Sequence, residues 1–234
     1  MEARKALMKK TKMYLILIMI LLVSMVSTAC MWTKEGYVYS AVRYMEKKYG
    51  ETFVDAYMWT ENSVIMSPKK NTRMQVFAEY RDFNGNGKKE WGDNYLYYLH
   101  MDEIYADAKE VADSVYENNK IYIHINGSTN NFKLNTDILE LYKLGAFATY
   151  IYTDKDVANK EEDALKIKQG MYDKQMYGIV RIKYLREEDF EKMSEDKIDE
   201  VSMKGAYNAE TNLYMRNREQ EIEWRYGDFK KELE

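Results

Sequence analysis

A single cysteine, Cys30, constrains this chain more than any other residue. Ahead of it lie a basic stretch (Arg4, Lys5, Lys9, Lys10 and Lys12), an apolar run from Met13 to Val26, and the small residues Ser27, Thr28 and Ala29. That is the layout of an export signal. Removing the first 29 of 234 residues leaves 205, with no thiol beyond Cys30 itself. No internal disulfide can staple the folded part, so its core must form by burial alone, and the length suits one domain or two small ones.

The stretch Val26, Ser27, Thr28, Ala29, Cys30 resembles the lipobox of bacterial lipoproteins, which closes a signal peptide with small residues and a cysteine. The resemblance implies cleavage between Ala29 and Cys30, a diacylglyceryl group on the Cys30 thiol, and retention on the outer face of the cell membrane. Ser27 stands where an aliphatic residue is usual. Met13 to Val26 is shorter than the roughly 20 residues of a spanning helix, so the run reads as leader. On this reading 1–29 is the signal peptide, 30–36 the lipid anchor and tether, and 37–234 an extracytoplasmic domain, whose two lobes, if it has two, divide near 119. A lipobox ahead of a cysteine-free, tyrosine- and lysine-rich body is similar to lipoproteins of Gram-positive bacteria.

The leader holds five of the 35 Lys and Arg and one of the 39 Asp and Glu, which leaves the exported part with 30 basic and 38 acidic residues, net −8. Such a surface repels phosphate backbones and anionic headgroups. Nucleic acid is excluded as an expected partner, and membrane contact is expected through the lipid. The partner expected instead is a protein or a cell-wall component. Twenty-two tyrosines and one proline, Pro68, point to a tyrosine-rich sheet without a long linker. A second reading of the aromatics is a platform, including Trp59 and Trp91, that stacks against sugars or peptides.

The periodicity predicts an α+β fold. Val38, Val42, Met45 and Tyr49 mark a helix from Tyr37 that stops at Gly50. The period then changes to two, and strands are predicted near 52–59, 63–67, 73–81 and 94–99, which makes an N-terminal helix packed on an antiparallel meander. Ile104, Ala108, Val111 and Val115 predict a second helix. A mixed region follows, with strands at 121–125, 147–152 and 176–185 and helices near 136–144 and 157–169. Met215, Ile222, Tyr226, Phe229 and Leu233 predict a C-terminal amphipathic helix over 211–233.

One local motif carries a mechanism. Asp82, Asn84, Asn86, the carbonyl of Lys88, Glu90 and Asp93, with Gly87 at the sixth position, resemble the calcium loop of EF-hand and dockerin-type proteins. The resemblance implies a bound Ca2+ held by converging oxygens. It departs from the pattern at Asp93, where Glu is usual, and its flanks read as strands. The competing reading is a hairpin turn built on Asn84-Gly85 and Asn86-Gly87.

Catalytic residues are not singled out. His100 and His124 are the two imidazoles and stand in no metal-binding pattern. Ser128 lies in a turn outside any nucleophile elbow. The acidic runs Glu161-Glu162-Asp163 and Glu187-Glu188-Asp189 read as solvated faces or first-turn charges. Three functions follow: a lipid-anchored extracytoplasmic binding module, a calcium-stabilised adhesion or substrate-binding lipoprotein, and a cell-envelope hydrolase using paired carboxylates.

Overall fold

Helix α1, Lys34–Tyr49, opens the described chain, and its ends are set by ordinary capping chemistry. The Thr33 hydroxyl accepts the Gly36 N–H at 3.0 Å, Glu35 lies in the first turn, and Lys47 and Lys48 lie in the last. Gly50 ends the helix at φ 67°, a left-handed conformation that glycine adopts without strain. Ala41, Met45 and Tyr49, four residues apart, form its buried stripe. The computed structural model describes residues 33–129, 132–198, 200–201, 207–215 and 224–227. The predicted signal peptide, Ala29 and Cys30 lie outside them. Among the described residues no helix is long and apolar enough to cross a membrane.

The chain divides into two compact units between Asp93 and Asn94, whereas the sequence suggested 119. The first unit is the predicted helix on an antiparallel meander. Strands β1 (Phe53–Thr60), β2 (Ser63–Pro68), β3 (Val76–Arg81) and β4 (Glu90–Asp93) pair in sequence order. The register sets Met58 opposite Val64, Val64 opposite Ala78, and Ala78 opposite Asp93, and a further pair sets Tyr80 opposite Trp91. Side chains alternate between faces along a strand, so Met58, Val64, Ala78, Tyr80 and Trp91 share one face. Val64 and Ala78 are fully buried there.

The second unit carries α2 (Tyr95–Leu99), α3 (Met101–Asp113), β5 (Lys120–Ile125), α4 (Ile138–Leu144), β6 (Phe147–Thr153), α5 (Lys160–Asp173), β7 (Gly178–Tyr184), α6 (Glu187–Glu191), β8 (Ala209–Met215) and β9 (Trp224–Gly227). Its five-stranded sheet runs in sequence order. Strands β6 and β7 are parallel, joined by the α5 crossover, and the other pairs are antiparallel. The fold class is α+β, as the periodicity predicted.

Two predicted elements are different. Residues 94–99 were expected as a strand, but Tyr95–Leu99 is a short helix. Tyr95, Leu96 and Tyr97 are all fully buried, and three consecutive buried side chains fit a helix sunk in the core better than a strand with one wet face. The C-terminal helix expected over 211–233 is replaced within the described residues by β8 and β9. Ala209, Thr211, Leu213 and Met215 alternate into the core against β7, a period of two that the polar Thr211 conceals in the sequence. Ile222, Phe229 and Leu233 lie outside the described residues.

Candidate functional site

The sheet face that carries Tyr80 and Trp91 is not fully covered by α1. Alongside the first two turns of the helix it opens into a cleft of about 410 Å³, within the range of small-ligand sites. Its floor is Tyr37 of α1 with Met58, Tyr80 and Trp91 of the sheet. Thr33, Lys34 and Ser40 line the helix side, Glu61 and Asn62 come from the two-residue turn between β1 and β2, and Lys89 precedes β4.

The indole of Trp91 is held by three rings. Tyr37 lies 4.9 Å away at 56°, Tyr80 5.3 Å away at 45°, and Tyr44 6.1 Å away in a stacked arrangement at 22°. Centroid separations of this size are favourable for tilted and offset pairs, and they fix the orientation of the ring. Burial pushes the Tyr37 hydroxyl up to about 12, so it stays protonated and neutral across physiological pH. Glu61, Lys34 and Lys89 are exposed around the mouth and give it charges of both signs. Rings below and mixed polar groups above can hold a ligand that has an apolar face and a hydrogen-bonding edge.

Beneath the cleft, α1 is fastened to β4 by a buried carboxylate. Asp93 is 0% exposed and accepts from the Tyr44 hydroxyl at 2.7 Å, the Tyr49 hydroxyl at 2.6 Å and the Lys48 ammonium at 2.7 Å. The same ammonium lies 5.6 Å and 5.1 Å from the two tyrosine ring centres. Burial raises the pKa of the Tyr44 hydroxyl and the Asp93 charge adds to the effect, so it stays protonated.

This placement separates the six residues of the calcium-like loop. Asp82 remains in the loop, where its carboxylate accepts the N–H groups of Asn84 at 3.1 Å, Asn86 at 3.2 Å and Gly87. These donors, Gly87 foremost, hold its pKa below the ordinary carboxylate range and so favour the ionised form. The Asn86 side chain accepts the Lys88 N–H at 2.9 Å, while Gly85 and Gly87 take φ of 66° and 82°. Glu90 sits in β4 opposite Arg81, with its carboxylate 3.9 Å from the Lys88 ammonium. Asp93 ends β4 and is turned to α1, so it does not converge with Asp82. Among the described residues no group of three or more His, Cys, Asp or Glu forms a metal cluster.

Other residues named from the sequence lie elsewhere. Trp59 is 62% exposed and packs 6.5 Å from Phe77, on the sheet face opposite Trp91, so the two tryptophans do not form one platform. His100 ends α2 rather than a strand, 3.3 Å from Glu103. His124 is exposed on β5, and Ser128 is buried beyond its end. Glu161, Glu162 and Asp163 form the first turn of α5, where Asp163 is buried against the Lys155 ammonium at 2.8 Å rather than solvated. Glu187, Glu188 and Asp189 open α6, with Arg186 3.0 Å from Asp189. Sequence reasoning missed Tyr37, Tyr80, Asn62 and the two lysines of the mouth. The available signal was the β3–β4 register, which puts Tyr80 beside Trp91.

No protein-family model matches the chain, and no curated protein matches it. Among solved structures it is similar to the crystal structure of a DUF5037 family protein from Ruminococcus gnavus. The identity is 15%, over 80% of this chain and 94% of that one, with a TM-score of 0.43.

Proposed function

We propose that this chain is a lipid-anchored extracytoplasmic binding protein that holds a small ligand in the Trp91 cleft. The cleft carries the reading: its rings are fixed before any ligand arrives, and its polar groups stand at the mouth. On this reading the anchor lies near the cleft in sequence. Thr33 both caps α1 and lines the cleft, three residues after Cys30. Three residues of extended chain reach ~10 Å, so a lipid on Cys30 would hold the cleft close to the bilayer surface. Two acyl chains there suffice for stable attachment.

The other two functions draw less from the geometry. Glu61 is the single carboxylate among the described lining residues, so nothing in the cleft favours paired-carboxylate hydrolysis. The calcium reading keeps its loop spacing but loses Asp93 to α1.

Mass spectrometry of the protein from its membrane fraction tests the anchor. A diacylated Cys30 at the mature amino terminus is the expected result, with release of the Cys30→Ala protein from the membrane. An unmodified thiol on a chain that keeps its leader in the cytosol would refute it. A photoreactive residue placed at Lys89 in living cells tests the cleft: cross-linking to an envelope component supports it, and a chain that forms no adduct counts against it.

A further inference from the structure

We infer that the ligand of this cleft is a saccharide, with one pyranose ring lying against the Trp91 indole and its hydroxyl edge turned to Asn62, Ser40 and Glu61. The inference rests on the binding role proposed above and adds the chemical class.

The floor argues first. A pyranose ring presents a face of weakly positive C–H bonds, which is attracted to the negative face of an electron-rich aromatic ring. That attraction needs a flat ring in a fixed orientation. Trp91 is oriented by Tyr37, Tyr80 and Tyr44, so ordering it on binding costs little.

The mouth argues second. Asn62 offers both an amide donor and an acceptor, Ser40 a hydroxyl that does either, and Glu61 an acceptor alone. Sugar hydroxyls donate and accept at once, which matches such a mixed collar. An apolar side chain closing the same mouth would strip these groups of water and leave them unpaired. Lys34 and Lys89 add positive charge beside Glu61, so an amino sugar carrying an acyl group or a uronate is as compatible as a neutral ring.

The backbone argues third, against an extended peptide. Peptides that bind to sheets add a strand along an edge and draw affinity from the main chain. The cleft floor is a sheet face: Tyr80 N–H donates to the Asn62 carbonyl at 2.8 Å and β3 is paired on both sides, while the edges of β1 and β4 lie in the plane of the sheet rather than on the face that carries the rings. What the floor offers a ligand is side chains.

The full-length protein, held in a detergent without a sugar headgroup, tests this on a panel of neutral, N-acetylated and uronate oligosaccharides, with a panel of short peptides alongside. At least one saccharide is expected to bind with a Kd below about 1 mM, and Trp91→Phe and Asn62→Ala are each expected to weaken it about tenfold. Trp59→Phe, on the opposite face, is expected to leave affinity unchanged. Asn62 is exposed in a turn, so its variant keeps the test valid if Trp91→Phe disturbs packing. Peptides that bind while saccharides do not, with loss in the same two variants, would overturn the saccharide assignment and leave the cleft as a binding site. Binding that neither variant alters, or no binding by either panel, would overturn both.

Discussion

Removing the Asp93 carboxylate tests how the cleft is held together. In Asp93→Ala three hydrogen bonds from α1 lose their common acceptor, and each involves a charged group. Hydrogen bonds to charged groups contribute about 1.5–3 kcal/mol apiece, but the three donors do not suffer equally. Lys48 is 11% exposed at its side chain and swings toward water, which recovers part of its loss. Tyr49 is 7% exposed and has no such route, so its hydroxyl is left buried without this acceptor. Breaking one partner of a buried ion pair costs about 3–5 kcal/mol, and with partial rescue of Lys48 the expected loss is about 4 kcal/mol. Asp93→Asn keeps the shape and an accepting oxygen but loses the charge, and is expected to cost about half as much. Urea denaturation with hydrogen exchange read at the amides of β3 and β4 confines the measurement to the first unit. A loss below about 1 kcal/mol in Asp93→Ala would show that α1 is held by its apolar stripe alone.

Three further outcomes are expected. Burial pushes Tyr184 up to about 12 and also raises Tyr116 and Tyr142, so the folded protein holds these protons above the ordinary value near 10. Their stabilisation is complete below pH 10 and is lost as the pH rises through 12, so tyrosinate absorbance should rise together with cooperative unfolding. Gradual ionisation near pH 10 in a protein that stays folded would contradict this. At Gly178, with φ 137°, an added Cβ would lie 2.5 Å from the Phe147 carbonyl, so Gly178→Ala should destabilise the second unit by more than about 1 kcal/mol. Wild-type melting of that variant would refute the close approach of β7 to β6. With Asp93 turned to α1, millimolar calcium is expected to shift melting of the first unit by less than about 1 °C. A rise of several degrees that Asp82→Ala abolishes would show that the loop rearranges around the ion.

Local signals were legible in the sequence wherever one element carried them alone. The stop of α1 is written in Gly50, while its start, expected at Tyr37, comes three residues earlier at Lys34 behind the Thr33 cap, and Ile104, Ala108 and Val111 do mark the buried stripe of α3. The failures are cases where tertiary placement decided. Met215 fits a helical spacing with Tyr226, yet it lies in a strand whose partner is Gly178, distant in sequence. Asp93 fits the twelfth position of a metal loop, yet the register sets it opposite Ala78, on the face covered by α1. The cleft was half visible: the aromatic content drew attention to Trp91 but equally to Trp59. Only the strand register shows that Tyr80 accompanies the first and Phe77 the second.

The meander of the first unit has a temporal consequence. All four of its strands pair with their neighbours in sequence, and α1 precedes them, so every partner is present once residue 93 has emerged from whatever channel delivers the chain. Short-range pairing of this kind closes quickly. The second sheet must wait for its late strands, because β7 gains its second neighbour only when β8 arrives. A chain that emerges amino terminus first would therefore complete the pairing around the Trp91 cleft before the strands of its second sheet are all available.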